Sequence, residues 1–206
     1  MSTSRSEEFT KFAIVCAPRS GSTMLHTYLN SHSAILSHGE IIRRKVEAEE
    51  ELLSIDEFAF SPQSKKIKAV GLKLFYEYMY KDKFKVAFDE VVEDKTIKII
   101  HLTRDDKKKQ LTSLRRAEKS GAWSSVLKST EEPIKIILSE EDLSSYEKEQ
   151  KEMIDIIHEK FKEHTVLQMT YENLVSDPKA ELDKIQQFIN VEPQQLFTLL
   201  QKQGAE

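Results

Sequence analysis

A uniformly apolar run at residues 12–16 leads directly into Ala17-Pro18-Arg19-Ser20-Gly21-Ser22-Thr23. A short apolar run with no helical period predicts a strand buried on both faces. Leu25 and Leu29, four residues apart, put the next segment, 23–30, into a helix. This order of strand, glycine-bearing loop and helix constrains the fold more than any other feature. A first strand buried on both sides needs parallel neighbours, and parallel neighbours need crossover helices. The loop is also chemically specific. A helix N-terminus offers unpaired N–H groups and a positive dipole end. Gly21 lets the backbone approach an anion closely. Ser20, Ser22 and Thr23 supply hydroxyls, and Arg19 supplies a permanent charge that can fork onto phosphate or sulfate oxygens. A tight turn with a serine cap would explain one hydroxyl, but not basic, glycine and hydroxyl groups together at one helix start.

The rest of the chain continues the alternation. Short strands are expected at 34–37, at 66–76 where Val70, Leu72 and Leu74 alternate, at 96–102 and at 165–169. Helices are expected at 41–53, 82–92, 105–119 and 142–163, the last with Met153, Ile156, Ile157 and Phe161 on one stripe. Gly121 should end the third of these, and 121–133 reads as irregular. Asp177-Pro178 opens another helix, and Pro193 a last short one. Strands alternating with helices predict an α/β three-layer, P-loop-like fold, a central mostly parallel sheet flanked by helices.

With 206 residues, 39% of them hydrophobic, the chain suits one domain spanning 1–206, with 1–10 flexible. Its net charge of −4 argues against a general nucleic-acid binder but not against a local anion pocket. No apolar stretch approaches the ~18 residues of a membrane span, and the polar N-terminus lacks a signal-peptide core; a cytoplasmic protein is expected. The single cysteine, Cys16, lies in the apolar first strand and reads as an inert buried thiol. Six histidines and one cysteine show no metal-ligand spacing, so no metal is expected. Nothing in the sequence sets the oligomeric state.

A second anion site is expected at Arg104, at the end of the 96–102 strand, with Ser113 nine residues on. In a parallel sheet the strand C-termini converge on one edge, where ligands bind. Thr112 is the alternative hydroxyl, because the sequence does not fix the helix phase. Glu40, after the short second strand, is a candidate general base. His38 competes with it, having an ordinary pKa near neutrality. Lys73 interrupts an alternating strand; it either faces solvent or points to a bound anion. His101 reads as a satisfied core histidine, and Trp123 either walls a pocket or packs in the core.

The APRSGST loop, the LTRDD…LTSLRRA segment and the stretch MTYENLVSDPKAEL together resemble PAPS-dependent sulfotransferases (PAPS is 3′-phosphoadenosine 5′-phosphosulfate). They are most similar to the bacterial branch of trehalose (Stf0-like) and nodulation-factor sulfotransferases. The resemblance covers nearly the whole chain. It implies that Arg19, Ser20, Gly21, Ser22 and Thr23 grip the 5′-phosphosulfate, that Arg104 and Ser113 grip the 3′-phosphate, and that Glu40 is the base. It makes Lys73 a catalytic candidate beside Arg19, and Tyr171-Glu172 a supporting pair. Many relatives place the arginine and serine of the second segment one residue closer together. Relatives also continue past the position of Glu206, so part of a nucleotide lid or acceptor site is expected to be absent or replaced. The implied reaction moves a sulfuryl group from PAPS to the hydroxyl of a carbohydrate or small-metabolite acceptor and leaves adenosine 3′,5′-bisphosphate (PAP). Two rivals stay open. An ATP-dependent small-molecule kinase would want a GxxxxGK[ST] loop and an acidic Mg²⁺ ligand, which the sequence lacks. A catalytically silent nucleotide-binding module would not need Glu40 and Arg19.

Overall fold

A computed structural model describes residues 5–6, 8–50, 54–123 and 134–200. The strands are β1 (Arg5–Ser6), β2 (Thr10–Cys16), β3 (Ile35–Ser37), β4 (Gln63–Ser64), β5 (Ala69–Phe75), β6 (Lys98–Thr103) and β7 (Val166–Thr170). The helices are α1 (Ser22–Asn30), α2 (Ile41–Glu47), α3 (Ile55–Phe58), α4 (Asp82–Glu93), α5 (Lys107–Ser120), α6 (Glu140–Lys160), α7 (Tyr171–Ser176) and α8 (Pro178–Phe188), with a 3-10 turn at Tyr76–Tyr80.

The apolar first strand takes the place its composition demands. β2 is the middle strand of a five-stranded sheet of order β3-β5-β2-β6-β7, in which every neighbouring pair is parallel. Phe12, Ala13, Ile14, Val15 and Cys16 are all fully buried. The register sets Ile14 beside Lys73 and Ile100, and Val15 beside Leu74 and His101. Lys73 and Lys98 therefore share one sheet face; they reach Thr23 of α1 and the Phe188 carbonyl of α8. On the opposite face, His101 packs edge-on to His158 of α6, and Phe88 of α4 packs on Phe161. The α/β three-layer fold read from the sequence is the one observed.

The differences have local causes. The helix expected at 41–53 ends at Glu47, where Ala48 and Glu49 turn the chain and Glu49 takes φ 55°; 51–53 lie outside the described residues. The irregular stretch expected at 121–133 is described only to Trp123, after α5 closes on Gly121 with φ 69°. Of the segment expected to be flexible, residues 1–4 and 7 lie outside the described residues, and Arg5–Ser6 pairs antiparallel with Gln63–Ser64. Pro193 does not open a helix. Residues 191–200 instead run irregularly along α1 and the turn after it, with Glu192 O at 2.9 Å from His32 Nε2, Gln194 Nε2 donating to Ser33 Oγ at 2.8 Å and the Thr27 and Thr198 hydroxyls 2.7 Å apart. So short a helix is marginal alone, and these bonds take its place.

Gly71 shows how tightly the sheet is packed. A Cβ there would lie 2.3 Å from the Phe12 ring, which covers it from the neighbouring strand. Phe12 is fully buried and cannot move aside. Gly71→Ala should therefore lower unfolding stability by about 1–3 kcal/mol despite alanine's better strand propensity. Urea denaturation measures this, and an unchanged midpoint would contradict the packing described.

Candidate active site

The loop after β2 is built by two residues in the left-handed region, Arg19 at φ 62° and Gly21 at φ 89°. Such a conformation is uncommon for a non-glycine residue, and here the surroundings hold it. Arg104 Nη1 donates to the Arg19 carbonyl at 3.1 Å, and the buried Gln110 Nε2 donates to the Pro18 carbonyl at 2.9 Å. Ser20 Oγ donates to Ala17 O at 2.8 Å, so this predicted ligand hydroxyl is engaged within the turn. No side chain caps the N-terminus of α1, whose first N–H groups stay available to an anion. Gly21 is required twice over: a Cβ would strain its φ and lie 2.4 Å from Tyr171 Cδ2.

The residues of the predicted second anion site assemble around the same loop. The Arg19 side chain runs to α5, where Nε donates to Ser113 Oγ at 2.9 Å, and it also donates to the Trp123 carbonyl. Thr112 Oγ1 instead donates to Lys108 O at 2.8 Å within its own helix, so Ser113 is the hydroxyl that faces the site. The Arg104 guanidinium lies 4.5 Å over the Tyr171 ring. Burial, then the neighbouring Arg104 and Arg116, lower the Arg19 pKa. A crowd of guanidinium groups of this kind is relieved by a multiply charged anion. Glu172 accepts the Asp105 and Asp106 amides at 2.9 and 3.2 Å and so fixes the turn from β6 into α5. Tyr171-Glu172, read from sequence as support, ties the loops after β2 and β6 together.

At the same sheet edge Lys73 enters from β5 with its side chain only 2% exposed. Its Nζ lies 2.7 Å from Glu40 Oε1 and 3.0 Å from Thr23 Oγ1. Of the two sequence readings for Lys73, solvent exposure is excluded. Glu40 stands at the N-terminus of α2, and Arg43 Nη2 makes a 2.9 Å ion contact with its other oxygen that is not an aligned hydrogen bond. The turn that carries Glu40 is stitched to β5 through His38 N to Gly71 O at 2.7 Å and Lys73 N to Gly39 O at 2.8 Å.

Residues 9–203 match the family model described as the sulfotransferase domain. The chain belongs to the sulfotransferase family. Nodulation protein H of Rhizobium tropici is 29% identical over 192 residues, spanning 86% of this chain and 74% of the relative. Among solved structures, a sulfotransferase domain from the curacin biosynthetic pathway is similar with a TM-score of 0.55 at 16% identity, over 91% of this chain and 76% of that one. A mouse sulfotransferase complexed with PAP has a TM-score of 0.50 at 18% identity, over 92% of this chain and 61% of that one. These two likenesses establish the fold.

Other residues of this sulfotransferase fall into place around the cluster. The His38 imidazole lies against the Ala59 backbone, and its pKa is lowered, by burial above all. Sequence reading missed His26, three residues after Thr23 on α1. Its Nδ1 is 2.8 Å from Ser37 Oγ, and burial, then Lys73 and Arg44, lower its pKa to about 4. The i, i+3 spacing from Thr23 was the available signal. His101 is a core residue, as expected: Nδ1 donates to Gln168 Oε1 at 2.7 Å, leaving Nε2 to accept the Tyr76 hydroxyl at 2.5 Å. Cys16 is fully buried, and burial pushes its thiol pKa up. Trp123 is half-exposed, with its carbonyl on Arg19. Among the described residues no His, Cys, Asp or Glu group is arranged to hold a metal ion, and no helix is long and apolar enough to cross a membrane.

Burial lowers the His101 pKa from 6.5 to about 4, so in that interval the unfolded chain binds a proton that the folded chain refuses. Stability should therefore fall as pH drops from 6.5 toward 4, with His101 contributing on the order of 3 kcal/mol. His101→Gln should flatten this part of the stability–pH curve measured by urea denaturation. An unaltered slope would show that His101 is protonated without penalty in the fold.

Proposed function

We propose that this sulfotransferase moves a sulfuryl group from PAPS to an acceptor hydroxyl, leaving PAP. The observation that carries the reading is Lys73 Nζ standing between Thr23 of the anion loop and Glu40, 2.7 Å from its carboxylate. The donor loop and a candidate base are thereby held at one point. The 5′-phosphosulfate would sit on the α1 N-terminus with Gly21, Ser22 and Thr23. The 3′-phosphate would lie among Arg104, Ser113 and the Arg19 side chain that reaches Ser113. Two separate anion centres suit a nucleotide phosphorylated at both ends, and the PAP bound by the mouse relative supports this choice.

In the reaction the acceptor oxygen attacks sulfur in line as the bond from sulfur to the phosphate oxygen breaks. The acceptor proton passes to Glu40, and the electron pair of the broken bond leaves with PAP. Lys73, Thr23 and the α1 amides stabilise charge on the moving sulfuryl group and the leaving phosphate, the larger share of catalysis in transfers of this kind. Of the two cations beside Glu40, Arg43 has 38% of its side chain exposed, whereas Lys73 is enclosed. The acceptor class is a carbohydrate or small metabolite.

Release of PAP from PAPS in the presence of acceptor tests the assignment. Glu40→Gln keeps the shape and removes the base, and should lower kcat at least about a hundredfold with PAP binding intact. Unchanged turnover would remove Glu40 from the mechanism.

A further inference from the structure

Thr23, His26 and Asn30 lie at i, i+3 and i+7 of α1, on one face of the helix. Thr23 Oγ1 accepts from Lys73 Nζ at 3.0 Å. The other two residues hold Ser37, the buried last residue of β3. Asn30 makes a two-point pair with the Ser37 backbone. Its Oδ1 accepts from Ser37 N at 2.8 Å, and its Nδ2 donates to Ser37 O at 2.9 Å. His26 Nδ1 lies 2.8 Å from Ser37 Oγ. All three polar groups of Ser37 are thus engaged by α1.

β3 stands at the end of the sheet, with β5 on one side only. A side-chain amide carries a donor and an acceptor side by side, so Asn30 stands in for the strand that β3 lacks. Alanine would suit an exposed helical position better than asparagine, so helix propensity does not account for this residue. Glu40 follows Ser37 by three residues. Between them Gly39 takes φ 61°, and a Cβ there would lie 3.0 Å from His26 Nε2, so the turn rests on the same face of α1. Its other side is closed by His38 N on Gly71 O and Lys73 N on Gly39 O. The turn that carries Glu40 is therefore clasped between α1 and β5.

We propose that Asn30 is a positioning residue for the reaction: by clasping the Ser37 backbone it sets Glu40 at a fixed place relative to the helix whose N-terminus takes the donor. This rests on the sulfotransfer reading above and on Glu40 as its base. Asn30 bonds Ser37 and lies 3.4 Å from His26 Nδ1, and it acts on Glu40 only through the turn. One rigid helix then carries the donor-binding amides at its start and the reference point for the base at its end. A displacement of about an ångström at a reacting group costs on the order of a hundredfold in rate.

The test uses Asn30→Ala, which removes both bonds to Ser37 and leaves a good helix former in place. Turnover is read as PAP released from PAPS with methyl β-D-glucopyranoside as acceptor, PAP affinity by calorimetry, and the turn by amide hydrogen exchange at His38 and Lys73. The variant should keep its PAP affinity and its KM for PAPS and lose at least about tenfold in kcat. Exchange at the two amides should quicken by at least about tenfold while the amides of β2 are unaffected. Because Asn30 acts through Glu40, the double variant with Glu40→Gln should be no slower than Glu40→Gln alone. Unchanged kcat, unchanged exchange, a parallel loss of PAP affinity, or losses that add in the double variant would overturn the proposal. The last two would mark Asn30 as a support of the whole fold. Glu40→Gln turning over at the wild-type rate would instead overturn the base reading beneath it.

Discussion

An ammonium group enclosed by protein must be paired, because desolvating it alone costs several kcal/mol. Lys73 meets that demand with Glu40 Oε1 and Thr23 Oγ1, and its Nζ also lies 5.2 Å from the centre of the Phe75 ring. Because the strand fixes Lys73, its two partners are fixed in turn. One belongs to the helix that follows the loop after β2, the other caps the helix that follows β3. The geometry of the site thus follows from the register of β5 against β2, which seats Lys73 beside Ile14 at the sheet's centre.

The other half of the site depends on an aromatic ring. Tyr171 fills the space that Gly21 leaves open and carries the Arg104 guanidinium on its face. A cation over an aromatic ring is stabilised and also held in direction. Its neighbour Glu172 fixes the turn behind Arg104 through two backbone amides. One dipeptide at the end of β7 therefore aligns the loop after β2 with the loop after β6, although both lie far away in the chain. This joins the sheet's last strand to the edge that carries the candidate active site.

Much of the frame was legible in the sequence because its signals are local. The apolar run 12–16, Gly21 and the Leu25–Leu29 pair each report on their own neighbourhood, and strand ends in a parallel sheet share an edge. That reasoning put Arg104 and Glu40 at one edge; Ser113 and Lys73 were taken up as site residues through the family resemblance. Side-chain direction was not legible. Arg19 sits in the loop, yet its guanidinium runs to Ser113, a contact set by a left-handed backbone that the residue type does not announce. Tyr171 owes its importance to partners distant in sequence, and residues 191–200 owe their path to polar groups on α1 and the turn after it rather than to their own helical propensity.

The most direct test of the account is calorimetric titration of the protein with PAP, alongside AMP and ATP-Mg²⁺, repeated on Arg104→Ala. The proposed pair of anion centres, joined by the Arg104–Tyr171 contact, predicts that PAP binds more tightly than either other nucleotide. Arg104→Ala should weaken it by roughly tenfold to a hundredfold, the worth of a lost charge-assisted hydrogen bond. Tighter binding of ATP-Mg²⁺, or a PAP affinity indifferent to Arg104, would contradict it.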